Sequence, residues 1–296
     1  MIHVFMNLAS GGGDKNAARD AIAAALRDAG REVAFHQIAD NALLRRIVDE
    51  ADRGTDIVVA AGGDGTINTV AGSLLGKSLT MGIVPLGTFN YVARLLDIPN
   101  NPAEAARILV DGVPRKLHVG RVNQRVFVNS VGLGLYVRLI AQREKHAGIF
   151  GRNRLVAVFS ALMTLLRGTP SYAMFLKVDG KTRRIDAPLI FVCANSVQVG
   201  DLNLDPAVVR SVAAGGMAAI IVKSATPADI LAVAGHILAG TLERAEQIEI
   251  LCSDAIDITR RRRSIRLVID GEIVRERPPL RLAVGRNAID VMAPRA

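Results

Sequence analysis

The sequence predicts an α/β protein, with a parallel sheet in its first domain and a mainly antiparallel second domain. Strand-like apolar runs alternate with helix-like runs over residues 1–115, and two of these strands end in glycine-bearing loops. After Pro114 the alternation gives way to strands joined by short turns. Alternating strands and helices indicate a parallel sheet covered on both faces, whereas hairpins indicate antiparallel pairing. We therefore expect domains at 1–115 and 116–296.

The predicted elements of the first domain follow from periodicity and from helix stop signals. The Ala-rich run 16–29 ends at Gly30, a residue type that favours the end of a helix. Pro102 suits the first position of a short helix. In chain order the prediction is strand 2–7, helix 16–29, strand 32–38, helix 41–53, strand 57–61, helix 67–75, strand 80–84, helix 91–96 and helix 102–111.

The second domain is predicted from β-rich runs separated by turn signals. Asn123-Gln124 and Asp179-Gly180 mark two hairpin turns. The predicted strands are 116–122, 125–131, 189–194, 217–223, 247–251, 256–259 and 265–269, and the predicted helices are 155–166 and 227–238. The helix 155–166 is apolar nearly all round, which favours core packing over the border of an acyl-chain pocket.

The stretch that follows the strand 57–61 reads Gly62-Gly63-Asp64-Gly65-Thr66 and leads into a helix-like run. A strand, a glycine turn and a helix start offer backbone N–H groups to a phosphate. Glycine tolerates positive φ and lets a phosphate approach the backbone closely. Asp64 is then placed to hold a metal ion or take a proton. The alternative is an ordinary strand-to-helix turn in which the aspartate caps the helix.

A second loop, Pro85-Leu86-Gly87-Thr88-Phe89-Asn90, follows the next predicted strand. Thr88 suits a helix N-terminus, and its hydroxyl can also bond a phosphate oxygen. Ligands of open α/β sheets bind at the carboxyl ends of the strands. We therefore expect both glycine-bearing loops to face one ligand crevice.

Composition and charge limit the classes of partner that the protein is expected to bind. The formal charge is +9, which favours anionic partners. Aromatic residues are few and do not interleave with basic runs, so nucleic acid is not an expected partner. No apolar run reaches the ~18–20 residues needed to span a bilayer. An anionic membrane surface fits the overall charge. The densest basic runs, such as 260–263, are better explained as solvated strands or turns. We expect two buried thiols, Cys193 and Cys252, and a reducing, cytoplasmic location.

Four motifs in chain order resemble the diacylglycerol kinase catalytic family, which includes sphingosine and ceramide kinases and bacterial lipid kinases. Gly-Gly-Asp-Gly alone is shared with NAD kinases and phosphofructokinases, whereas Pro-Leu-Gly-Thr-Phe-Asn points to lipid kinases. Asn7-Leu8-Ala9-Ser10-Gly11 is similar to the family's Asn-Pro-x-Ser-Gly pattern, and Asp270-Gly271-Glu272 matches its Asp-Gly-Glu.

The resemblance implies a Rossmann-like first domain of the NAD kinase type and a β-sandwich second domain that receives the lipid. In this family the final residues can pack back on the first domain. It also implies an ATP-dependent kinase that transfers the γ-phosphate to a hydroxyl of diacylglycerol or a related lipid. Asp64 would hold Mg²⁺, and Glu272 would accept the proton of the hydroxyl. The implied nucleotide site comprises Asn7, Ser10, Gly11, Gly62, Gly63, Gly65, Thr66, Asn68, Gly87, Thr88 and Asn90.

Several positions depart from the family pattern and keep alternatives open. Tyr91, Thr69 and His118 stand where many members carry carboxylates, and 204–217 lacks the pattern for an additional structural Mg²⁺. The alternatives are a non-catalytic nucleotide or lipid sensor and, less favoured, an NAD kinase. Work at the membrane surface implies a peripheral protein at the inner membrane, and a homodimer is left open.

Overall fold

A computed structural model of the chain describes residues 1–6, 15–39, 41–51, 56–150, 170–223 and 226–295, without the side chains of 143–150. Three predicted site residues, Asn7, Ser10 and Gly11, and the predicted helix 155–166 lie outside the described residues. The chain divides into two compact units. Met1–Val119 and Gly285–Ala296 form the first, and Gly120–Val284 forms the second.

The first unit contains a parallel sheet, as the alternating pattern predicts. Its strands run in the order β2, β1, β3, β4 and then the end of β16, where Asp290 and Val291 pair in parallel with Thr80 and Met81. Its elements are β1 (Ile2–Met6), α1 (Lys15–Asp28), β2 (Val33–Gln37), α2 (Asn41–Glu50), β3 (Ile57–Gly62), α3 (Asp64–Leu74), β4 (Thr80–Pro85), α4 (Tyr91–Leu95), α5 (Pro102–Asp111), most of β5 (Val113–Val122) and the second part of β16 (Leu280–Ala293).

Central strands of this sheet are buried on both faces. All six residues of β3 are buried, and Val58 and Val59 are fully covered. Each such apolar side chain contributes roughly 1.5–3 kcal/mol relative to an exposed position. The approach of α5 is close enough that a Cβ at Gly82 would lie 2.5 Å from Leu109 Cδ2. The sheet is therefore a rigid base for the loops at its carboxyl edge.

The second unit is a β-sandwich with helices on one outer face. One sheet runs β12, β11, β10, β7, β14 and β15, and the other pairs β8 with β9 and with β13, and β13 with the start of β16. The elements are β6 (Arg125–Phe127), β7 (Ser130–Gly134), α6 (Leu135–Phe150), β8 (Tyr172–Val178), β9 (Lys181–Ala187), β10 (Leu189–Cys193), α7 (Ser196–Asp201), α8 (Pro206–Ala213), β11 (Met217–Val222), α9 (Pro227–Ala239), the 3₁₀ turn Leu242–Arg244, β12 (Ile248–Ser253), β13 (Ala255–Thr259), β14 (Ile265–Ile269) and β15 (Glu272–Glu276).

Two apolar clusters hold this unit together. One lies between the sheets and includes Leu133, Met174 and Ile256. The other lies between the six-stranded sheet and its helices, and includes Val199 and Ile230. Because both faces of β10 and β11 are covered, these strands are apolar along their whole length and carry no alternating pattern.

Two expectations about this unit were wrong, and three of its helices were missed. The predicted strand 125–131 is broken at Val128 and Asn129, and its two halves belong to different sheets. Helices over 135–150, 196–201 and 206–213 had not been predicted. Cys193 is buried, which raises the pKa of its thiol, but Cys252 is exposed because it lies on the edge strand β12.

Candidate active site

The first glycine loop lies at the carboxyl end of β3. The strand ends at Gly62, Gly63 is the N-cap of α3, and Asp64 is the first residue of that helix. A Cβ at Gly62 would lie 2.4 Å from Thr66 Oγ1, so only glycine fits beneath the buried threonine. The first turn of α3, with its dipole and N–H groups, is therefore held at the end of the strand.

Positive φ is not why these glycines are needed. None of Gly62, Gly63 and Gly65 is among the glycines with positive φ, and Gly63 is extended at φ −86°. The sequence-based expectation on this point was wrong. Close approach of backbone and side chain explains Gly62, and close approach of two backbones explains Gly63.

The second loop lies at the carboxyl end of β4 and is closed by Asn90. This asparagine is buried and left-handed at φ 49°. Its Oδ1 accepts the Gly87 N–H at 3.0 Å, and its Nδ2 donates to the Gly87 carbonyl at 3.0 Å and to Asn100 Oδ1 at 3.0 Å. Asn90 therefore fixes the loop shape, while Gly87 and Thr88 are exposed at its tip.

The two loops touch through their backbones. A Cβ at Gly87 would lie 2.6 Å from Gly63 Cα, and one at Gly63 would lie 3.3 Å from Gly87 Cα. The Leu86 N–H also donates to the Gly62 carbonyl at 2.9 Å. The structure thus brings together two loops that lie about twenty residues apart in the sequence, as parallel pairing of β3 with β4 requires.

Asp64 joins the first loop to α4. Its Oδ1 accepts the Tyr91 N–H at 3.0 Å, at the start of that helix. A carboxylate there also complements the positive end of the helix dipole. Asp64 is half-buried and not freely exposed. The residue therefore has a structural contact besides any role with a ligand.

An aromatic pair that sequence reasoning missed stands beside the second loop. The rings of Phe89 and Tyr91 stack with centroids 5.6 Å apart and planes 1° from parallel. Phe89 is 58% exposed, and the Arg94 guanidinium lies 5.5 Å from the Tyr91 centroid. The sequence feature that could have indicated this pair is the position of the two aromatic residues on either side of Asn90. The chain thus presents a flat aromatic face backed by a cation beside the second loop.

Glu272 lies in the second unit, on a tight hairpin. It is exposed, begins β15, and pairs with Ile269 across a two-residue turn. Asp270 and Gly271 form the turn with φ 44° and 91°, which suits an Asp-Gly type I′ hairpin. Glu272 is therefore the first strand residue after the turn.

Asp270 anchors the turn that carries Glu272. Its Oδ2 accepts the Val128 N–H at 2.7 Å, and its Oδ1 accepts those of Asn129 and Ser130 at 3.0 and 2.8 Å. The Asp270 N–H donates to the Ser130 carbonyl at 3.0 Å. This carboxylate receives three backbone donors, which explains why the predicted strand 125–131 breaks here.

The broken segment is supported from its other side by two asparagines. Asn195 is fully buried, and its Nδ2 donates to Asn129 Oδ1 at 3.0 Å. Asn195 Oδ1 also accepts the Val197 and Gln198 N–H groups and thereby caps α7. The Ala194 N–H donates to the Asn129 carbonyl at 2.8 Å. The anchor of the Glu272 turn is therefore continuous with the sandwich.

The donor set fits a magnesium ion held together with nucleotide phosphates. Mg²⁺ keeps several waters and binds proteins through one or two carboxylates plus substrate phosphates. Asp64 beside a backbone cradle supplies such a carboxylate. A closed protein site would need more: in the described parts of the chain no three His, Cys, Asp or Glu side chains lie close enough to share a metal ion. Asp205, in the stretch compared with the structural Mg²⁺ pattern, caps α8 through the Ala207 N–H.

Thr69 and His118, the other two positions at which the sequence departs from the resembled pattern, make local hydrogen bonds. Thr69 Oγ1 donates back to the Gly65 carbonyl at 2.9 Å within α3. His118 Nδ1 accepts the Asn287 N–H at 3.1 Å, and burial together with Arg286 lowers the pKa of His118. Thr66 is buried and Asn68 half-buried on the first turns of α3. Neither Thr69 nor His118 supplies a carboxylate.

Comparison with known proteins matches these features to a family. Residues 1–122 match the model of the diacylglycerol kinase catalytic domain. The resemblance to this family that the sequence motifs indicate is therefore confirmed over residues 1–122. The chain is 32% identical over 196 residues to the diacylglycerol kinase of Bacillus subtilis strain 168, covering 65% of this chain and 63% of that protein. It is 40% identical over 128 residues to a probable lipid kinase YegS-like of Pseudomonas aeruginosa PAO1, covering 42% of each.

The chain therefore spans less than two thirds of the length of these two relatives. The fold match is broader. A crystal structure of a diacylglycerol kinase from Bacillus anthracis strain Sterne aligns with a TM-score of 0.69 at 19% identity, over 99% of this chain and 96% of that one. The predicted fold class, an α/β parallel-sheet domain followed by an antiparallel β domain, is confirmed.

Proposed function

We propose that this chain is an ATP-dependent lipid kinase that transfers the γ-phosphate to a hydroxyl of diacylglycerol or a related lipid. The observation that carries the proposal is the backbone contact between the Gly63 and Gly87 loops at the carboxyl ends of β3 and β4. Phosphoryl transfer depends mainly on positioning and on offsetting phosphate charge, and two such loops beside a carboxylate suit both tasks.

Each proposed group has a defined task. The glycine loops bind the phosphates through backbone N–H groups, Thr88 adds its hydroxyl, and Asp64 holds Mg²⁺. When bound, that ion offsets phosphate charge. Glu272 takes the proton from the acceptor hydroxyl, as the family resemblance implies. The tight turn and the Asp270 anchor hold Glu272 in a fixed position, which a base requires if it is to act in the transition state.

The partner in this proposal is a lipid presented at an anionic membrane surface. The charge of +9 supports it, because each basic side chain near such a surface adds about 1 kcal/mol. None of the helices in the described parts of the chain has the length and apolar character to cross a bilayer. We propose a cytoplasmic protein that works peripherally at the inner membrane surface, and no nucleic-acid partner. A homodimer stays a prediction.

Transfer of labelled phosphate from ATP to lipids in mixed micelles tests the proposal. With Mg²⁺ present, the lipids are diacylglycerol, monoacylglycerol, ceramide, sphingosine and phosphatidylglycerol, with NAD as a control acceptor. A single labelled lipid whose labelling is lost in Asp64→Asn is the expected result. Label in NAD alone would instead identify an NAD kinase.

A second candidate is a sensor that binds nucleotide or lipid without turnover. The contact of the Tyr91 N–H with Asp64 favours it, because this contact already engages the carboxylate that the kinase proposal assigns to Mg²⁺. This candidate predicts ATP binding by calorimetry and no transfer to any lipid tested. Binding with transfer excludes it.

A further inference from the structure

A basic cleft in the second unit has no role in the site described above. It lies between the start of α6, the start of β8 and the segment from Arg260 to Arg266, and its volume is about 330 Å³. Every residue that lines it belongs to the second unit. We refer to it as the arginine cleft.

Four arginines surround the cleft: Arg138, Arg260, Arg262 and Arg266. No acidic side chain is among the described residues that line it. The Arg260 guanidinium lies 4.4 Å from the Tyr172 ring centroid, and this cation–π contact fixes it at the rim. Arg262 and Arg266 are exposed. The like charges of Arg260, Arg262 and Arg266 repel one another across the cleft, and a bound anion would relieve that repulsion.

The backbone adds to the positive potential. α6 begins at Leu135, immediately after Gly134, and Gly134 lines the cleft. The N-terminal turn of this 16-residue helix carries the positive end of its dipole. Gly134 has φ 72°, and a Cβ there would lie 2.1 Å from the Pro188 carbonyl oxygen. Glycine is therefore required where the strand turns into the helix.

The floor of the cleft is apolar. Its lining includes Leu133, Val137, Met174 and Ile265. Apart from the small surface that each presents to the cleft, these side chains are buried in the second unit. Arginine guanidinia suit phosphate because they donate in a planar fork. A ligand that matches both parts has a phosphate at the rim and an apolar body over the floor, which inorganic phosphate lacks.

We propose that the arginine cleft binds the phosphate of an anionic phospholipid, with the glycerol and first methylenes of the lipid over the apolar floor. This site adds a defined lipid contact to the membrane partner of the proposed function. It rests on the proposed function only because it takes its lipid from a membrane. It is a binding site for a lipid of the surface, separate from the glycine loops, and its occupancy requires neither ATP nor turnover.

Co-sedimentation with vesicles, without ATP, tests the site. The full chain is compared on phosphatidylcholine vesicles and on vesicles that also contain phosphatidylglycerol. Arg262→Ala/Arg266→Ala removes two cleft charges. Arg261→Ala/Arg263→Ala is the matched control, because it removes two exposed charges from the same region that do not line the cleft. We expect the cleft variant to bind phosphatidylglycerol vesicles roughly 30-fold more weakly, and the control to change far less.

Equal losses in the two double variants would overturn the proposal, because they would show only non-specific attraction to the charged surface. Competition distinguishes the source of the phosphate. A short-chain, soluble phosphatidylglycerol should displace the protein from vesicles, whereas inorganic phosphate at the same concentration and ionic strength should not. Equal displacement by both would reassign the cleft to free phosphate. Loss of lipid phosphorylation with intact vesicle binding would count against the kinase proposal and leave the cleft standing.

Discussion

At the residue scale, Asp64 combines a ligand role with a structural one. Its Oδ1 accepts the Tyr91 N–H, and the proposal also gives it Mg²⁺. Alanine at this position removes the charge and the acceptor together, so it cannot distinguish the two roles. Asparagine keeps an acceptor oxygen for Tyr91 and removes the charge.

We therefore expect Asp64→Asn to retain the stability of the parent protein and to lose lipid phosphorylation by a factor on the order of 10²–10³, since a metal contributes several kcal/mol to such a reaction. Asp64→Ala should lose activity and also about 1–3 kcal/mol of stability, because the Tyr91 donor is left unpaired. Thermal melts and phosphate transfer measure both. Full activity in Asp64→Asn would rule out the metal role.

Glu272 gives a second prediction at this scale. Glu272→Gln keeps the shape of the side chain but cannot accept a proton, so kcat should fall by roughly 10²–10⁴ while the KM for ATP stays near that of the parent. Glu276→Gln is the control on the same hairpin. The Glu276 carboxylate accepts hydrogen bonds from Asn123 and Arg125, and the proposal gives it no catalytic role. A weaker affinity for ATP with normal kcat would contradict the assignment of Glu272 as a base.

At the scale of elements, the contact between the glycine loops predicts a sharp requirement for glycine. Gly87→Ala places a Cβ 2.6 Å from Gly63 Cα and 2.7 Å from Asn90 Oδ1, so the loops must separate. We expect a loss of about 1–3 kcal/mol in stability and a marked loss of ATP affinity. Gly235→Ala on α9 is the control. No atom lies within 4 Å of its Cβ, and alanine favours a helix by roughly 0.8–1 kcal/mol. Unchanged ATP affinity in Gly87→Ala would show that loop contact is unnecessary.

The Asp270 anchor predicts a coupled effect on two elements. Asp270→Ala leaves the N–H groups of Val128, Asn129 and Ser130 without their acceptor. The free energy of unfolding should fall by about 3 kcal/mol or more, since bonds to a charged group are worth roughly 1.5–3 kcal/mol each. Exchange of these three backbone hydrogens, followed by NMR, should accelerate. Protection at the parent level would show that the anchor is dispensable.

The sequence predicted elements best where local pattern and packing agree. Helix 102–111 was predicted with its correct bounds because Pro102 marks its start, and in the structure Asn101 caps it. The glycine loops were found because their residue types are dictated by close backbone approach. The break at Val128 and Asn129 could not be found, because its cause, Asp270, lies more than a hundred residues away. The Phe89–Tyr91 stack was missed for a similar reason, since its geometry depends on the left-handed Asn90.

At the scale of the whole molecule, partly buried histidines predict how stability depends on pH. Burial lowers the pKa of His3, His36 and His118 below the ordinary value of 6.5, and the neighbouring His3 lowers that of His36 further. The unfolded chain then binds protons at a higher pH than the folded one. Stability is therefore full above about pH 6.5 and falls as the pH drops through the lower folded values.

Thermal melts between about pH 8 and pH 5 should show this acid-side loss, above the range where carboxylates titrate. The rings of His3 and His36 lie in contact, with Nδ1 of His3 and Nε2 of His36 3.3 Å apart, so protonation of both rings places two like charges side by side. His3→Gln/His36→Gln should flatten the curve. An equally steep curve in that variant would assign the loss to other groups.

The first unit has one further consequence, which concerns protein synthesis. Its sheet takes its last strand from residues 285–293, whereas β4, the strand that they pair with, is made before the entire sandwich. During translation the outer edge of β4 stays unpaired until the second unit has been synthesised. An unpaired strand edge can form a sheet with other chains. A nascent chain stalled before residue 285 would therefore be an aggregation-prone intermediate.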